Sequence, residues 1–386
     1  MSYDVDALRR EEFPWAASGE TIYLNSASTG PLPARTVRVV TAWAALRENP
    51  QRISEDLEFG TLARGRELIA SLIGANAAEI ALATNTSYGL NLAAFSLPLR
   101  AGDVVLSPEL EFPANVYPWM QVAARRGIEC RRVPCRDGVL DVDTLARELE
   151  DERVRVVTVS WVQFASGARV DLGALGRLCR DRGVYFVVDA IQGLGPLTLD
   201  LRTTPVDILA CGAQKWLLSP WGAGFVYVRR DLIEQLEPHD VSWLAVRGAD
   251  DFSRLTNYDL TWRNDARRFE FITLPFQDMA GMNASLELLH EIGPQAASEH
   301  ALGLAAEIRD WATARDDVAL VTPAQPERHA AIVSVRPRDS RAASDRLTAA
   351  NVAHSLREGA IRLSPHFFNT REEVQRALDL LSPRTA

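Results

Sequence analysis

Lysine is nearly absent from this 386-residue sequence: 41 arginines provide the other basic side chains, and Lys215 stands alone. Acidic residues outnumber basic ones, which gives a formal net charge of −9. The arginines are spread along the chain, and no basic run contains interleaved aromatic residues. These features argue against a protein that binds nucleic acid or an anionic membrane surface. No apolar run approaches the roughly 18 residues of a transmembrane helix, so no membrane span is predicted.

Several other signals are missing as well. The N-terminus is acidic and amphipathic and has no apolar core, so it does not resemble a signal peptide. None of the four cysteines has CxxC spacing, which favours reduced core thiols in a cytoplasmic protein. The six histidines show no paired metal-binding spacing, so we expect no metal. A nucleotide-binding α/β enzyme is disfavoured because there is no P-loop and no GxGxxG after an early strand.

From about residue 79 the sequence alternates short β-rich runs with helical patterns. Runs such as "VYFVVDA", "VDILACGA" and "GFVYVRR" are almost continuously apolar, which is typical of strands buried on both faces of a parallel sheet. The pattern predicts an α/β fold with a large, doubly wound, mainly parallel sheet domain over residues 76–275. Mixed helices and short strands predict a smaller α+β domain over residues 276–386. Residues 1–75 are predicted to be mostly helical and to pack with that smaller domain.

The surroundings of the single lysine suggest a chemical role. Lys215 follows "VDILACGA" and precedes "WLLSPWGAG", so it is predicted to lie at a strand end. A high-GC coding bias would explain the many arginines and leave one lysine by chance, but it does not explain this position. An amine can be desolvated, lose its proton and attack an aldehyde, whereas a guanidinium stays charged and is a poor nucleophile. The residue types therefore favour a lysine that forms a Schiff base.

Two further polar motifs are predicted at strand ends, where α/β sheets place their ligands. In "ATNTSYGLN", Thr86 and Ser87 begin a helix, so they either bind an anion or cap that helix. In "FVVDAIQG", Asp189 ends an apolar strand, where a carboxylate needs a cationic partner unless it caps a helix. The functional alternative is a carboxylate that keeps a ring nitrogen protonated, with Gln192 donating to an oxygen of the same ring.

An aromatic residue completes the set. Phe112 in "PELEFPANVYPW" either packs within its loop or covers the face of a flat cofactor. A lysine amine, a carboxylate for a ring nitrogen and a hydroxyl-lined phosphate site are together what pyridoxal phosphate requires. Each motif alone is weak evidence, and their order along the chain is the stronger signal.

Over about residues 20–382, these motifs resemble those of the class V aminotransferase group of fold-type I pyridoxal phosphate enzymes. That group includes cysteine desulfurases, kynureninases and isopenicillin N epimerase-like proteins. The resemblance implies a fold-type I transferase with pyridoxal 5′-phosphate as cofactor and Lys215 as the catalytic Schiff-base residue. It further implies these cofactor contacts: Thr86 and Ser87 to the phosphate, Phe112 at the ring-stacking position that is usually histidine, Asp189 to the pyridine nitrogen, Gln192 to the phenolic oxygen, and Gln214 where many members have a phosphate-contacting histidine.

Three flanking segments extend the resemblance. "YLNSASTGPLP" is similar to the substrate-side loop of the family, which implies that Asn25 and Ala27 contact substrate. "RRFEFITLPF" is similar to a stretch that reaches the neighbouring subunit's phosphate site, which implies a homodimer with Thr273 contributing in trans. "IRLSPHFFNTREEV" resembles the segment whose arginine binds the substrate α-carboxylate, here Arg362. A surface ion pair is the alternative role of Arg362.

Two departures limit what the resemblance implies. Desulfurases attack the substrate sulfur with a cysteine before the C-terminal arginine, and residues 351–364 contain none, so a persulfide-forming desulfurase is disfavoured. The loop 160–167 lacks an asparagine that the family often has, so Trp161, Gln163 and Phe164 are assigned only to pocket lining.

The function that follows is a transformation of an L-amino acid through a Lys215 Schiff base and removal of the Cα proton. The outcome is expected to be aminotransferase-like or a β-elimination of the C–S lyase type. The alternatives are an amino-acid epimerase or racemase and, from another class, a non-catalytic regulatory protein that binds pyridoxal phosphate.

Overall fold

The N-terminal segment is mostly helical in the computed structural model, which describes residues 3–136 and 138–382. Its elements are α1 (Val5–Glu12), α2 (Pro14–Ala17), β1 (Ile22–Tyr23), α3 (Ala34–Arg47) and α4 (Glu55–Ile73). The Ser54 side chain accepts from the Leu57 backbone N–H and starts α4, and Gly74 ends it in the left-handed conformation.

The middle of the chain alternates strands and helices, as predicted. Its elements are β2 (Ile80–Ala83), α5 (Thr86–Ser96), β3 (Val104–Pro108), α6 (Tyr117–Arg126), β4 (Glu129–Val133), α7 (Val142–Glu148), β5 (Val154–Ser160), α8 (Leu172–Asp181), β6 (Tyr185–Asp189), β7 (Ile208–Gly212), β8 (Gly224–Val228) and α9 (Arg230–Ile233).

These strands form one seven-stranded sheet in the order β2-β8-β7-β6-β5-β3-β4. Strand β8 is antiparallel to both neighbours and the other pairings are parallel, so the sheet is mixed but mainly parallel. The sequence pattern placed β8 in the parallel series. Because only residues 213–223 join β7 to β8, the connection is too short for the helical crossover that a parallel strand requires. The carboxyl ends of β2, β3, β5, β6 and β7 therefore meet at one edge.

Apolar residues cover both faces of this sheet. In β3, Val104 and Leu106 belong to one core cluster and Val105 belongs to the cluster on the opposite face. Because both faces of the sheet are covered, side chains on both faces of a strand are buried, and this explains the near-continuous apolar runs in the sequence.

The C-terminal part is a helix-covered antiparallel sheet. Its elements are α10 (Phe276–Ile292), α11 (Pro294–Thr313), β9 (Val318–Leu320), β10 (Val333–Pro337), α12 (Ser340–Ala349), β11 (Val352–Ala353), β12 (Ser355–Arg357), β13 (Ala360–Leu363) and α13 (Arg371–Leu381). The four strands pair in the order β12-β13-β10-β9. Strand β11 pairs in parallel with β1 near the N-terminus. The division at residues 75 and 275 stays a prediction.

None of the helices in the described ranges is long and apolar enough to cross a membrane.

Candidate active site

A cavity of about 230 Å³ lies at the sheet edge where the strand ends meet. Its lining contains seven of the residues predicted from sequence: Thr86, Ser87, Phe112, Asp189, Gln192, Gln214 and Lys215. Segments far apart in the sequence thus come together because parallel strands place their carboxyl ends side by side.

Lys215 lies three residues beyond the end of β7, in the loop that leads to β8. Burial lowers the pKa of its amine to about 8; the positive charge of Arg362 adds to this, and the carboxylate of Asp189 opposes it. The N-terminal loop packs directly on this segment: the Gly30 N–H donates to the Gln214 carbonyl at 2.9 Å. A Cβ on Gly30 would lie 1.9 Å from the Lys215 carbonyl oxygen, so glycine is required there. The backbone of this segment is therefore held in place, and the amine that it carries loses its proton more easily than that of an exposed lysine.

Asp189 is the last residue of β6 and is only 3% exposed. Its Oδ1 accepts from the Ile191 N–H at 3.0 Å, and the described chain offers no partner for its other oxygen. Burial raises the pKa of this carboxyl group, with a further contribution from the negative charge of Glu111. A cationic N–H donor in the cavity would stabilise the ionised form.

Gln192 connects three parts of the site. Its Nε2 donates to the Ala27 carbonyl at 3.0 Å, and its Oε1 accepts from the indole N–H of Trp216 at 2.9 Å. One amide hydrogen of Gln192 remains for a ligand. The Ala27 N–H donates to the Ser364 hydroxyl, so both backbone groups of Ala27 are used within the protein. The Ala27 carbonyl therefore helps to orient Gln192, and a contact of Ala27 with substrate stays a prediction.

The start of α5 supplies hydrogen-bond donors to the cavity. The Asn85 side chain caps the helix through the Tyr88 N–H at 2.9 Å, which leaves the first N–H groups of the helix unpaired. Thr86 Oγ1 accepts from the Gly212 N–H at 2.8 Å, so its own hydroxyl hydrogen is available. A Cβ on Gly212 would lie 2.5 Å from Gln214 Oε1 and 3.2 Å from Thr86 Oγ1, so glycine keeps this end of the cavity open. Two hydroxyls and a helix N-terminus suit a phosphate.

Phe112 covers one side of the cavity. Its ring contacts that of Phe164 edge-on, with centroids 5.2 Å apart and an interplanar angle of 70°. Phe112 is 45% exposed, so it is not a core residue, and its role in covering the cofactor stays a prediction. From the 160–167 loop, Phe164 lines this cavity together with Ser160 and Val162.

Arg362 on β13 is a buried guanidinium without an acidic partner in the part of the chain that the structure describes. It donates to the Phe164 carbonyl at 2.6 Å and to the Ser28 hydroxyl at 2.8 Å, while its Nε has no hydrogen-bond partner. No described carboxylate forms an ion pair with it, which argues against the surface ion pair. Burial lowers its pKa to about 10, and Arg357 adds to this. An unpaired buried cation is costly unless an anionic ligand compensates it.

Asn25 acts on this arginine through Ser28. Its Oδ1 accepts from the hydroxyls of Ser28 and Ser355, each at 2.8 Å. Ser28 is in turn an acceptor for Arg362. Through Ser28, Asn25 thus orients Arg362, the side chain that the sequence analysis expected to bind the α-carboxylate of the substrate.

Thr273 does not line the cavity around Lys215 within the described chain. It lines a different cavity with Trp43 and Phe276, near the start of α10. A contribution of Thr273 to this site would require a second copy of the chain.

The sequence analysis missed Glu111, the residue before Phe112. This buried carboxylate accepts four hydrogen bonds: from the Ser160 N–H (2.8 Å) and hydroxyl (2.6 Å), from Gln163 (3.1 Å) and from Asn115 (3.0 Å). Burial raises its pKa and the hydrogen bonds oppose this. Glu111 therefore ties the Phe112 loop to the end of β5 and to the loop that carries Phe164. The sequence signal that could have identified Glu111 is an acidic residue within an apolar, proline-containing loop.

No group of three or more histidine, cysteine, aspartate or glutamate side chains in the described ranges is arranged to hold a metal ion.

Comparison with known proteins identifies relatives along most of the chain. The profile of the family named Aminotransferase class-V matches residues 22–377. An uncharacterized aminotransferase of Bacillus subtilis is 30% identical over 320 residues, which are 83% of each chain. An isopenicillin N epimerase of Streptomyces clavuligerus is 30% identical over 386 residues, covering 94% of this chain and 95% of the relative. Among solved structures, a cystine C–S lyase in complex with cysteine persulfide superposes with a TM-score of 0.86 at 24% identity, covering 96% of this chain and 99% of that one.

Proposed function

We propose that this chain, which belongs to the aminotransferase class-V family, removes the Cα proton of an L-amino acid with the amine of Lys215. It is a pyridoxal phosphate-dependent enzyme of that family. The observation that carries the proposal is the position of the only lysine. Lys215 is half-buried and lines the same cavity as Asp189, and burial lowers the pKa of its amine to about 8.

The residues of the cavity fit the cofactor. The unpaired N–H groups of α5 and the hydroxyls of Thr86 and Ser87 would hold the phosphate, and the free oxygen of Asp189 would hold the ring nitrogen. Phe112 would cover the ring. When bound, pyridoxal phosphate supplies an aldehyde that condenses with amines and a ring that withdraws electrons from the substrate α-carbon.

Lys215 performs the proton transfer in this proposal. Because burial lowers the pKa of the amine to about 8, about half of it is unprotonated near pH 8. The amine can then accept the Cα proton and later return it to another atom of the substrate or cofactor. Arg362 supports this by binding the α-carboxylate, which compensates its buried charge and fixes the α-carbon.

The composition of the cavity lining favours transamination or β-elimination over a two-base epimerisation. Asp189 and Lys215 are the titratable residues among the described lining residues, and phenylalanine occupies position 112. An epimerase with two bases needs a second acid–base group at the α-carbon, and the described lining of this cavity offers only Asp189 besides Lys215. Residues 351–364 contain no cysteine, which also disfavours persulfide formation on the protein.

The central experiment follows the cofactor. Purified protein incubated with pyridoxal phosphate should become yellow, and borohydride reduction followed by peptide mass spectrometry should place the pyridoxyl group on Lys215. Lys215→Ala should abolish turnover. Normal activity in that variant, or a wild-type protein that takes up no cofactor, would disprove the mechanism. Keto acid plus pyridoxamine phosphate from an amino-acid panel would indicate transamination, and pyruvate with released thiol or ammonia would indicate a lyase.

A homodimer is part of the proposal. Large apolar side chains are exposed near the site and the 267–276 segment, including Trp221 at 73% and Phe271 at 54%. A second copy that covers them would also give Thr273 a phosphate site to contact. Sedimentation should give twice the chain mass of 42.6 kDa, and a monomer at micromolar concentration would exclude the homodimer.

The four free thiols support a cytoplasmic location.

A further inference from the structure

A second cavity, of about 580 Å³, adjoins the cavity around Lys215. Phe164 lines both, and its carbonyl accepts from Arg362. From the C-terminal part of the chain, the lining of the second cavity includes Arg336 on β10 and Arg357 at the end of β12. A substrate whose α-carboxylate is bound by Arg362 therefore has space for a long side chain beyond Phe164.

The guanidinium of Arg357 lacks a partner in this space. Arg357 is exposed, and no described residue forms an ion pair or a side-chain hydrogen bond with it. Its positive charge contributes, after the larger effect of burial, to the lowered pKa of both Lys215 and Arg362. Arg357 is therefore close enough for its charge to act at the site.

Three glutamates also line the second cavity, Glu109, Glu111 and Glu358, but none of them forms an ion pair with this arginine in the described chain, and Glu111 is engaged with Ser160, Gln163 and Asn115. Neither Glu109 nor Glu358 forms an ion pair with Arg336 or Arg357 in the described chain, and Glu109 Oε1 accepts instead from the Cys135 N–H at 3.1 Å. Neither is among the causes of the pKa shifts of Lys215 and Arg362. Arg336 donates to the Glu358 carbonyl at 3.3 Å, which steadies the turn after Arg357.

We propose that Arg357 binds a second carboxylate, at the end of the substrate side chain, so that the preferred substrate is an acidic L-amino acid or another amino acid with a distal carboxylate. The proposal rests on the proposed function, because it takes Arg362 as the ligand of the α-carboxylate. A guanidinium can bind a carboxylate in bidentate fashion, and here no protein group has to be displaced first.

The test is calorimetric binding of unreactive acids to the holoenzyme. Glutarate, with two carboxylates, should bind about five- to tenfold more tightly than pentanoate, which has one. Arg357→Gln should abolish this preference, so that glutarate and pentanoate bind with about equal affinity, and it should leave the affinity for pentanoate unchanged. The control Arg341→Gln removes an exposed arginine of the same domain that does not line either cavity, and it should keep the preference. Equal affinities in the wild type, or a preference that survives in Arg357→Gln, would overturn the proposal.

A second measurement separates this inference from the proposed function. Arg362→Gln should weaken both acids, because both use that arginine. If the protein takes up no cofactor, the proposed function fails, yet the preference for glutarate over pentanoate can still be measured on the cofactor-free protein. With amino acids, KM should be lower for glutamate and 2-aminoadipate than for glutamine and norleucine, and only the acidic pair should lose affinity in Arg357→Gln. A KM that does not distinguish the pairs would contradict the assignment.

Discussion

Lys215 combines a buried amine with a nearby carboxylate, and this combination sets the pH range in which the amine reacts. Because burial lowers its pKa to about 8, the neutral form becomes abundant as the pH rises through 8 rather than through the ordinary range of an exposed lysine. The rate of pyridoxal phosphate capture by cofactor-free protein should therefore increase with a midpoint near pH 8, measured by absorbance. Asp189→Asn removes the charge that raises the pKa of the amine, so this midpoint should move lower. A midpoint above pH 10 in the wild type would contradict a lowered pKa of the Lys215 amine.

Glu111 is the second residue for which a single substitution is informative. Glu111→Gln keeps the shape but turns an N–H₂ group toward hydrogen-bond donors such as Ser160 and Asn115. Leaving such buried donors unsatisfied costs about 1–3 kcal/mol, which urea unfolding should detect. The exposed Glu67→Gln should change the free energy of unfolding by less than about 0.5 kcal/mol. Because Glu111 holds the Phe112 loop, the variant should also bind cofactor more weakly, and unchanged cofactor affinity would show that the network is only structural.

At the scale of elements, the position of α5 against the sheet decides where the proposed phosphate site lies. Gly89 allows this approach, because a Cβ there would lie 2.7 Å from side-chain atoms of both Ala210 and Val226. Gly89→Ala should displace α5 from β7 and β8 and raise the cofactor dissociation constant about tenfold, although Gly89 lies outside the cavity lining. Gly303→Ala in α11 meets nothing within 4 Å and should leave cofactor affinity unchanged. Spectroscopic titration of both cofactor-free variants measures the effect, and equal affinities would refute it.

At the scale of the whole molecule, a buried ion pair fixes the 267–276 segment to the rest of the chain. Arg66 on α4 donates to Glu270 through two bonds of 2.7 and 2.6 Å, and Glu270 also accepts from the Leu82 N–H at 2.9 Å. Arg66→Ala would leave a buried carboxylate without its cation, so the free energy of unfolding should fall by about 3–5 kcal/mol. The exposed neighbour Arg64, paired with Glu287 at 3.1 Å, provides the control, with an expected loss below about 1 kcal/mol. Chemical denaturation compares the two, and similar losses would exclude this role of Arg66.

The sequence by itself determined the features that depend on local pattern. Apolar runs predicted buried strands, and the mainly parallel sheet confirms that prediction because strands covered on both faces need apolar residues at every position. The aminotransferase class-V family was likewise identified from short motifs, and the match over residues 22–377 confirms it. Lys215 and Asp189 were recognisable as candidates because an amine and a buried carboxylate at strand ends are chemically distinctive.

Only the tertiary structure decided the relations between distant segments. The antiparallel direction of β8 follows from the length of its connection, and its apolar composition gives no sign of direction. The hydrogen bond from Gln192 to Ala27 joins residues 165 positions apart, and no local pattern encodes it. That Arg362 and Arg357 have no acidic partner among the described residues is likewise invisible in sequence, because a charge is unpaired only with respect to everything that folds around it.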